Sequence, residues 1–326
     1  MSLSRVTASL FLLFAYPASP WTANLPVADA DGWFSWRVAV VDSAPELCCF
    51  SWNNDAATKK RCNLDGRHGG FNTTDSNPFP ADEVQIYTLM RSGTATKIRA
   101  LSSQCPVTSD SKIAYLGSVD VDESVEWLRR YVSAGSSVST EAIATVAMHA
   151  GDGALKFLLD TATSDDNDEH REDAIFWMAQ LRIDETADDI QNIMFGDSSA
   201  DIREHAAFSY SQSVATDRAE VLIRQGKEDP DGDVRSQAWF WLTQIEAAES
   251  EIEIRKAIVN ERDAEVREQA VFALSQLPGE RAARALAGVL EDRQLDLDVR
   301  EQALFWLAQT ESDAAFEYIE RLLTEN

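Results

Sequence analysis

Arg171-Glu-Asp-Ala-Ile-Phe-Trp-Met-Ala-Gln180 returns four more times in register. The next copies are Arg203-Glu-His-Ala-Ala-Phe-Ser-Tyr-Ser-Gln212 and Arg235-Ser-Gln-Ala-Trp-Phe-Trp-Leu-Thr-Gln244. Arg267-Glu-Gln-Ala-Val-Phe-Ala-Leu-Ser-Gln276 and Arg300-Glu-Gln-Ala-Leu-Phe-Trp-Leu-Ala-Gln309 follow. The arginines stand 32, 32, 32 and 33 residues apart. A fixed period of this length marks stacked repeats, each one supersecondary unit whose apolar face is buried only by its neighbours.

With the arginine as position 0 and a turn of about 100° per residue, the apolar residue at −1, the alanine at +3 and the apolar residue at +7 gather on one face. That face is the expected core. Positions +2, +5 and +9 fall at roughly 140° to 200°, away from it. Two parallel rows result: Phe176, Phe208, Phe240, Phe272 and Phe305, beside Gln180, Gln212, Gln244, Gln276 and Gln309. Trp177, Trp241 and Trp306 at +6 would widen the stripe. The rows have two readings. They can line a groove in which glutamine amides pair with a peptide backbone and phenylalanines give apolar contact, or the phenylalanines can fill the seams between successive helices.

Each copy is preceded by a shorter apolar segment, namely Ala154–Leu159, Ile190–Phe195, Ala219–Arg224, Ile252–Val259 and Ala282–Leu290, so each repeat is expected to pair two helices. Ser139 to His149 reads as a degenerate first copy, and Ala314 to Leu323 as a closing helix. Asp201-Ile-Arg203, Asp233-Val-Arg235, Glu265-Val-Arg267 and Asp298-Val-Arg300 resemble the second helix of short HEAT repeats, related to the type found in phycobilin lyases. The whole chain resembles exported bacterial HEAT-repeat proteins with a cysteine-containing N-terminal domain. The resemblance implies a right-handed α-solenoid of about six repeats over residues 136–326. It also implies that the second helices line the concave side, with the position-0 arginines laddered to acids at the repeat turns.

Residues 31–135 read as a small β-rich domain with a closing helix. Trp36 to Val41 and Leu47 to Trp52 look like strands, and Glu83 to Arg91 with Thr96 to Ser102 like a hairpin. The polar stretch Asn53 to Pro80 reads as an irregular loop. Cys48, Cys49, Cys62 and Cys105 suggest two disulfides, Cys48 and Cys49 each joined to Cys62 or Cys105, because a bond between neighbours strains its ring. The spacing lacks a Cys-x2-Cys knuckle, which argues against zinc. Residues 1–30 look like an export signal: Arg5, an apolar run from Val6 to Tyr16, then a break at Pro17 to Pro20. The expected location is therefore periplasmic or secreted, with no membrane span after cleavage.

Charge narrows the partners. Residues 31–135 hold 13 acidic and 11 basic side chains, and residues 136–326 hold 41 acidic and 17 basic, a net −24. Such a surface repels nucleic acid and is compatible with a basic protein or peptide. No nucleophile elbow, phosphate loop or His-Glu pair of the kind used by iron-binding HEAT-repeat hydroxylases occurs. No cofactor is expected. The expected function is non-enzymatic binding of a protein or extended peptide in the groove. The alternatives are a lyase- or chaperone-like protein holding a cofactor or chromophore, and recognition by the N-terminal domain through Trp33, Trp36, Trp52 and the Cys62 to Pro80 loop, with the solenoid as spacer.

Overall fold

The computed structural model describes residues 25–324 except 28, 54–55, 67–82, 134–135 and 246–248. Most of the expected export signal (1–24) and of the Cys62 to Pro80 loop (67–80) lies outside the described residues. Among those described, eight strands come first: β1 (Gly32–Ala39), β2 (Cys49–Asn53), β3 (Ala56–Lys60), β4 (Cys62–Asn63), β5 (Glu83–Arg91), β6 (Thr94–Ser102), β7 (Val107–Thr108) and β8 (Ile113–Ser118). Thirteen helices follow: α1 (Val121–Ser133), α2 (Ser139–Met148), α3 (Asp152–Ser164), α4 (Asp168–Leu181), α5 (Ile183–Gly196), α6 (Ala200–Ser211), α7 (Arg218–Glu228), α8 (Gly232–Gln244), α9 (Ser250–Asn260), α10 (Ala264–Ser275), α11 (Gly279–Glu291), α12 (Leu297–Gln309) and α13 (Asp313–Thr324).

The main sheet runs β6-β5-β1-β8, antiparallel except for the β1–β8 pair. The β5–β6 hairpin turns through Ser92 (φ 50°) and Gly93 (φ 78°), two left-handed residues as a tight two-residue turn demands. Strands alternate their side chains, so the sheet buries both faces. Trp36, Val38, Ile86, Met90 and Ile98 face the helices, while Trp33, Tyr87, Leu89 and Leu101 face the cysteines. The disulfides are Cys48–Cys105 and Cys49–Cys62, with Cα atoms 5.5 and 5.3 Å apart.

Two expectations for this region are corrected. Residues 56–63 are not irregular: β3 pairs with β2, and β4 pairs with β7, two short ladders closed by the Cys49–Cys62 bond. Trp33 and Trp36 cannot form a binding face, because they are 1% and 0% exposed. The Trp33 indole donates to Asp65 Oδ1 at 2.9 Å and the Trp36 indole to Ser124 Oγ at 2.9 Å. The sheet is covered on both sides, so neither tryptophan reaches solvent.

The helices stack in two layers. α4, α6, α8, α10 and α12 carry the repeated phrase and neighbour one another; α3, α5, α7, α9, α11 and α13 form the other layer. The phrase-bearing helices begin three residues before each arginine. Asn167, Ser199, Asp231 and Asp263 cap α4, α6, α8 and α10 by accepting backbone N–H bonds, which places the start upstream. The repeated Ala174, Ala206, Ala238, Ala270 and Ala303 are fully buried, as are Met178, Tyr210, Leu242, Leu274 and Leu307 at +7.

The arginines tie each repeat to the next. Arg171 pairs with Asp197, Arg203 with Asp229 at 2.8 Å, Arg235 with Glu261 at 2.9 Å and Arg267 with Asp296 at 3.2 Å. The sheet joins the stack directly: Val41 N–H donates to the Met148 carbonyl and Ala150 N–H to that of Ala39, both at 3.0 Å. One apolar core therefore continues from Trp36 to Tyr318, with Leu25 inside it.

Candidate binding groove

The phenylalanines and the +6 tryptophans form a single row of eight rings. Neighbouring centroids lie 5.3 Å apart for Trp177–Phe176, 6.2 Å for Phe176–Phe208 and 4.9 Å for Phe208–Trp241. The row continues through Trp241–Phe240 at 4.9 Å, Phe240–Phe272 at 6.2 Å, Phe272–Trp306 at 5.0 Å and Trp306–Phe305 at 5.0 Å. Its geometry alternates because position +6 alternates: Trp177, Ser209, Trp241, Ala273, Trp306. Opposite Ser209 and Ala273, two phenylalanines stack directly, with planes 12° and 3° apart. Trp241 and Trp306 insert their indoles between successive phenylalanines, and Trp177 packs on Phe176 at the start of the row. Phe176, Phe208, Phe240 and Phe272 are half-buried, and Phe305 at the end of the row is 53% exposed. The rings thus pack in the seams and also keep an outward surface.

The +9 glutamines stand elsewhere. Gln212, Gln244 and Gln276 lie at their helix ends, and each amide donates to the hydroxyl one residue back, Ser211, Thr243 or Ser275. Those hydroxyls in turn donate to the carbonyls of Phe208, Phe240 and Phe272. Among the described residues no glutamine of this row bonds to another. Gln180 lines a different cleft, between the end of β1 and Arg182, and Gln309 is exposed.

Between α8 and α10 the row floors a cleft of about 540 Å³. Phe240 and Phe272 form its base, with the amides of Gln237 and Gln269 at +2 beside them. Glu204, Asp233 and Glu265 stand along it, and none of these carboxylates has an ion-pair partner among the described residues. The acids come from positions −2 and +1, at roughly 160° and 100° on the same wheel, so the repeat pattern already contains this rim.

Among the described residues no ion pair offsets the charge of Glu204, Asp233 and Glu265. Burial, then Asp201, Asp233, Asp231 and Glu172, push the Glu204 carboxyl above the usual carboxylate range. Burial, then Asp168, Asp201 and Glu169, do the same to Glu172 one repeat earlier. Asp173 is also raised, first by burial, and its Oδ2 is buried with no partner. Like charges held close in a half-buried site disfavour ionisation, and an arriving cation relieves them.

The family model for HEAT repeats matches residues 219–308. None of the curated proteins compared with the chain matches it. Among solved structures, that of human deoxyhypusine hydroxylase in complex with glycerol is similar over 63% of this chain and 79% of its own, at 18% identity and a TM-score of 0.33. A likeness that distant has no bearing on activity. The paired helices, the laddered arginines and the family match together make the helical part of this chain a solenoid of short HEAT repeats, preceded by a disulfide-bonded β-sheet.

Proposed function

We propose that this protein is a non-enzymatic, extracytoplasmic scaffold that holds an extended segment of a partner protein along the phrase-bearing face of its solenoid. HEAT repeats make it a scaffold of the protein-interaction type. The observation that carries the groove is the unbroken row of eight rings, which keeps part of its surface open while lying beside side-chain amides. Aromatic faces with neighbouring donors and acceptors suit an amphipathic chain better than a small rigid ligand. The two disulfides support placement outside the reducing cytoplasm. No helix among the described residues is long and apolar enough to cross a membrane.

The test is a random-peptide display selection on the full chain, compared with Phe240→Ala/Phe272→Ala. Both side chains are half-buried, so circular dichroism must first show that the variant keeps its helicity. The wild type should enrich a peptide class that the variant loses. Retention of the same peptides by a folded variant would exclude the groove.

A further inference from the structure

The groove has a chemical signature beyond its shape. Phe240 and Phe272 stack with planes 3° apart at 6.2 Å, and Glu204, Asp233 and Glu265 line the same cleft without counter-ions among the described residues. Aromatic rings present negative faces, and a cation over such a face gains further from nearby carboxylates. The Phe176–Phe208 pair repeats the stacking at 6.2 Å, with Glu169 and Asp201 at the positions of Asp233 and Glu265 and Thr140 where Glu204 stands; Glu172 and Asp173 follow at +1 and +2 of the first of its two helices. Trp241 separates the two pairs, so each spans one half of a double repeat. Two repeats advance about 16–20 Å at an interhelical spacing of 8–10 Å, which equals roughly five or six residues of extended chain at 3.3 Å each.

We infer that the occupant of this groove is an extended protein segment bearing lysine or arginine side chains about five or six residues apart, one cation over Phe240 and Phe272 and one over Phe176 and Phe208. The inference rests on the groove reading above and adds the charge and spacing of the ligand. The raised carboxyl of Glu204 fits it, since burial and then the neighbouring Asp201, Asp233, Asp231 and Glu172 disfavour its charge, and a guanidinium would offset them. Gln237 and Gln269 line the cleft with Phe240 and Phe272, where their amides can pair with the backbone on either side of that cation.

The test uses the full chain and fluorescein-labelled glycine–serine peptides of about twelve residues that carry two arginines six residues apart, followed by fluorescence anisotropy. A twin with citrulline in place of arginine keeps the shape and removes the charge. The arginine peptide should bind, and the citrulline peptide should bind on the order of tenfold more weakly or not at all. Glu204→Gln/Asp233→Asn/Glu265→Gln should weaken the arginine peptide by a similar factor. The same charge change on exposed acids of the other layer, Asp188→Asn/Glu220→Gln/Glu280→Gln, should leave it within about twofold. Removing mutual repulsion should hold or raise the melting temperature of the groove variant, so loss of binding through misfolding is readable at once; Glu204→Gln alone serves as the milder variant. Equal binding of both peptides overturns the cation assignment and leaves the groove standing. Binding of neither overturns both. Equal weakening by the two triple variants shows diffuse attraction to an acidic surface and also overturns the site.

Discussion

At the scale of single residues, the repeats differ where neighbours have exchanged volume. Position +4 holds Ile175, Ala207, Val271 and Leu304 in four copies, but Trp239 in the middle one. Its indole lies over Gly226 of α7, where a Cβ would sit 2.5 Å from the ring. Gly226→Ala should cost about 1–3 kcal/mol by overpacking, read as a lower urea midpoint. Adding Trp239→Leu should recover part of it, since the Trp239 indole N–H is buried without a partner. His149 is a second special residue. Its Nδ1 donates to the Thr145 carbonyl at 2.8 Å, and its Nε2 accepts from Ser124 Oγ at 2.8 Å, whose own acceptor site takes the Trp36 indole. Burial first, with Arg182 adding to it, lowers its pKa to about 4. The folded state therefore excludes a proton that the unfolded chain binds below about 6.5. Stability from this site is complete above pH 6.5 and is lost as pH falls towards 4, by about 3 kcal/mol in all. Glu172, Asp173 and Glu204 titrate with the opposite sign, because their raised pKa values favour the folded state at low pH. The difference in unfolding free energy between wild type and His149→Gln, measured from pH 7 to 4, should isolate the histidine; a pH-independent difference would refute it.

At the scale of elements, the recurring arginine explains how one helix pair is keyed to the next. Arg203 forks onto both oxygens of Asp229, at 2.9 and 2.8 Å, and also donates to the Asp197 carbonyl at 3.0 Å. Both partners are buried, with side chains 8% and 1% exposed. Arg203→Ala leaves the Asp229 carboxylate without its cation and should cost about 3–5 kcal/mol. The Arg267–Asp296 pair is built on the same plan, but its side chains are 25% and 66% exposed, and Arg267→Ala should cost only about 1 kcal/mol or less. Chemical denaturation of the two variants side by side checks the contrast; equal losses would show that burial does not set the strength of this ladder. The ties are thus buried in the middle and more exposed towards α12, and Phe305 and Phe316 near that end are exposed as well.

At the scale of the whole molecule, the helical half was legible because a solenoid is nearly one-dimensional: each residue meets partners one repeat away, so contact and sequence period coincide. The period of 32 placed the helix pairs, the buried alanines and the exposed-side position of the phenylalanines from residues such as Ala238 and Phe240 alone. It could not say how adjacent rings meet. That depends on the alternation of Trp241 with Ser209 and Ala273, whose effect is felt only once α6, α8 and α10 stand side by side. Nor could it send the +9 glutamines to their neighbouring hydroxyls, a local competition that helical phase does not resolve. The sheet was less readable still, since β1 pairs with β5 some fifty residues away and with β8 beyond it. Long-range pairing decided which cysteines bond and turned Trp33 and Trp36 inward. The sequence by itself thus determined the repeat and its two faces, because helical phase and repeat spacing are local. Only the tertiary structure decided that the open face is an aromatic row beside Glu204, Asp233 and Glu265, acids with no ion-pair partner among the described residues, because that arrangement exists between helices and not within one.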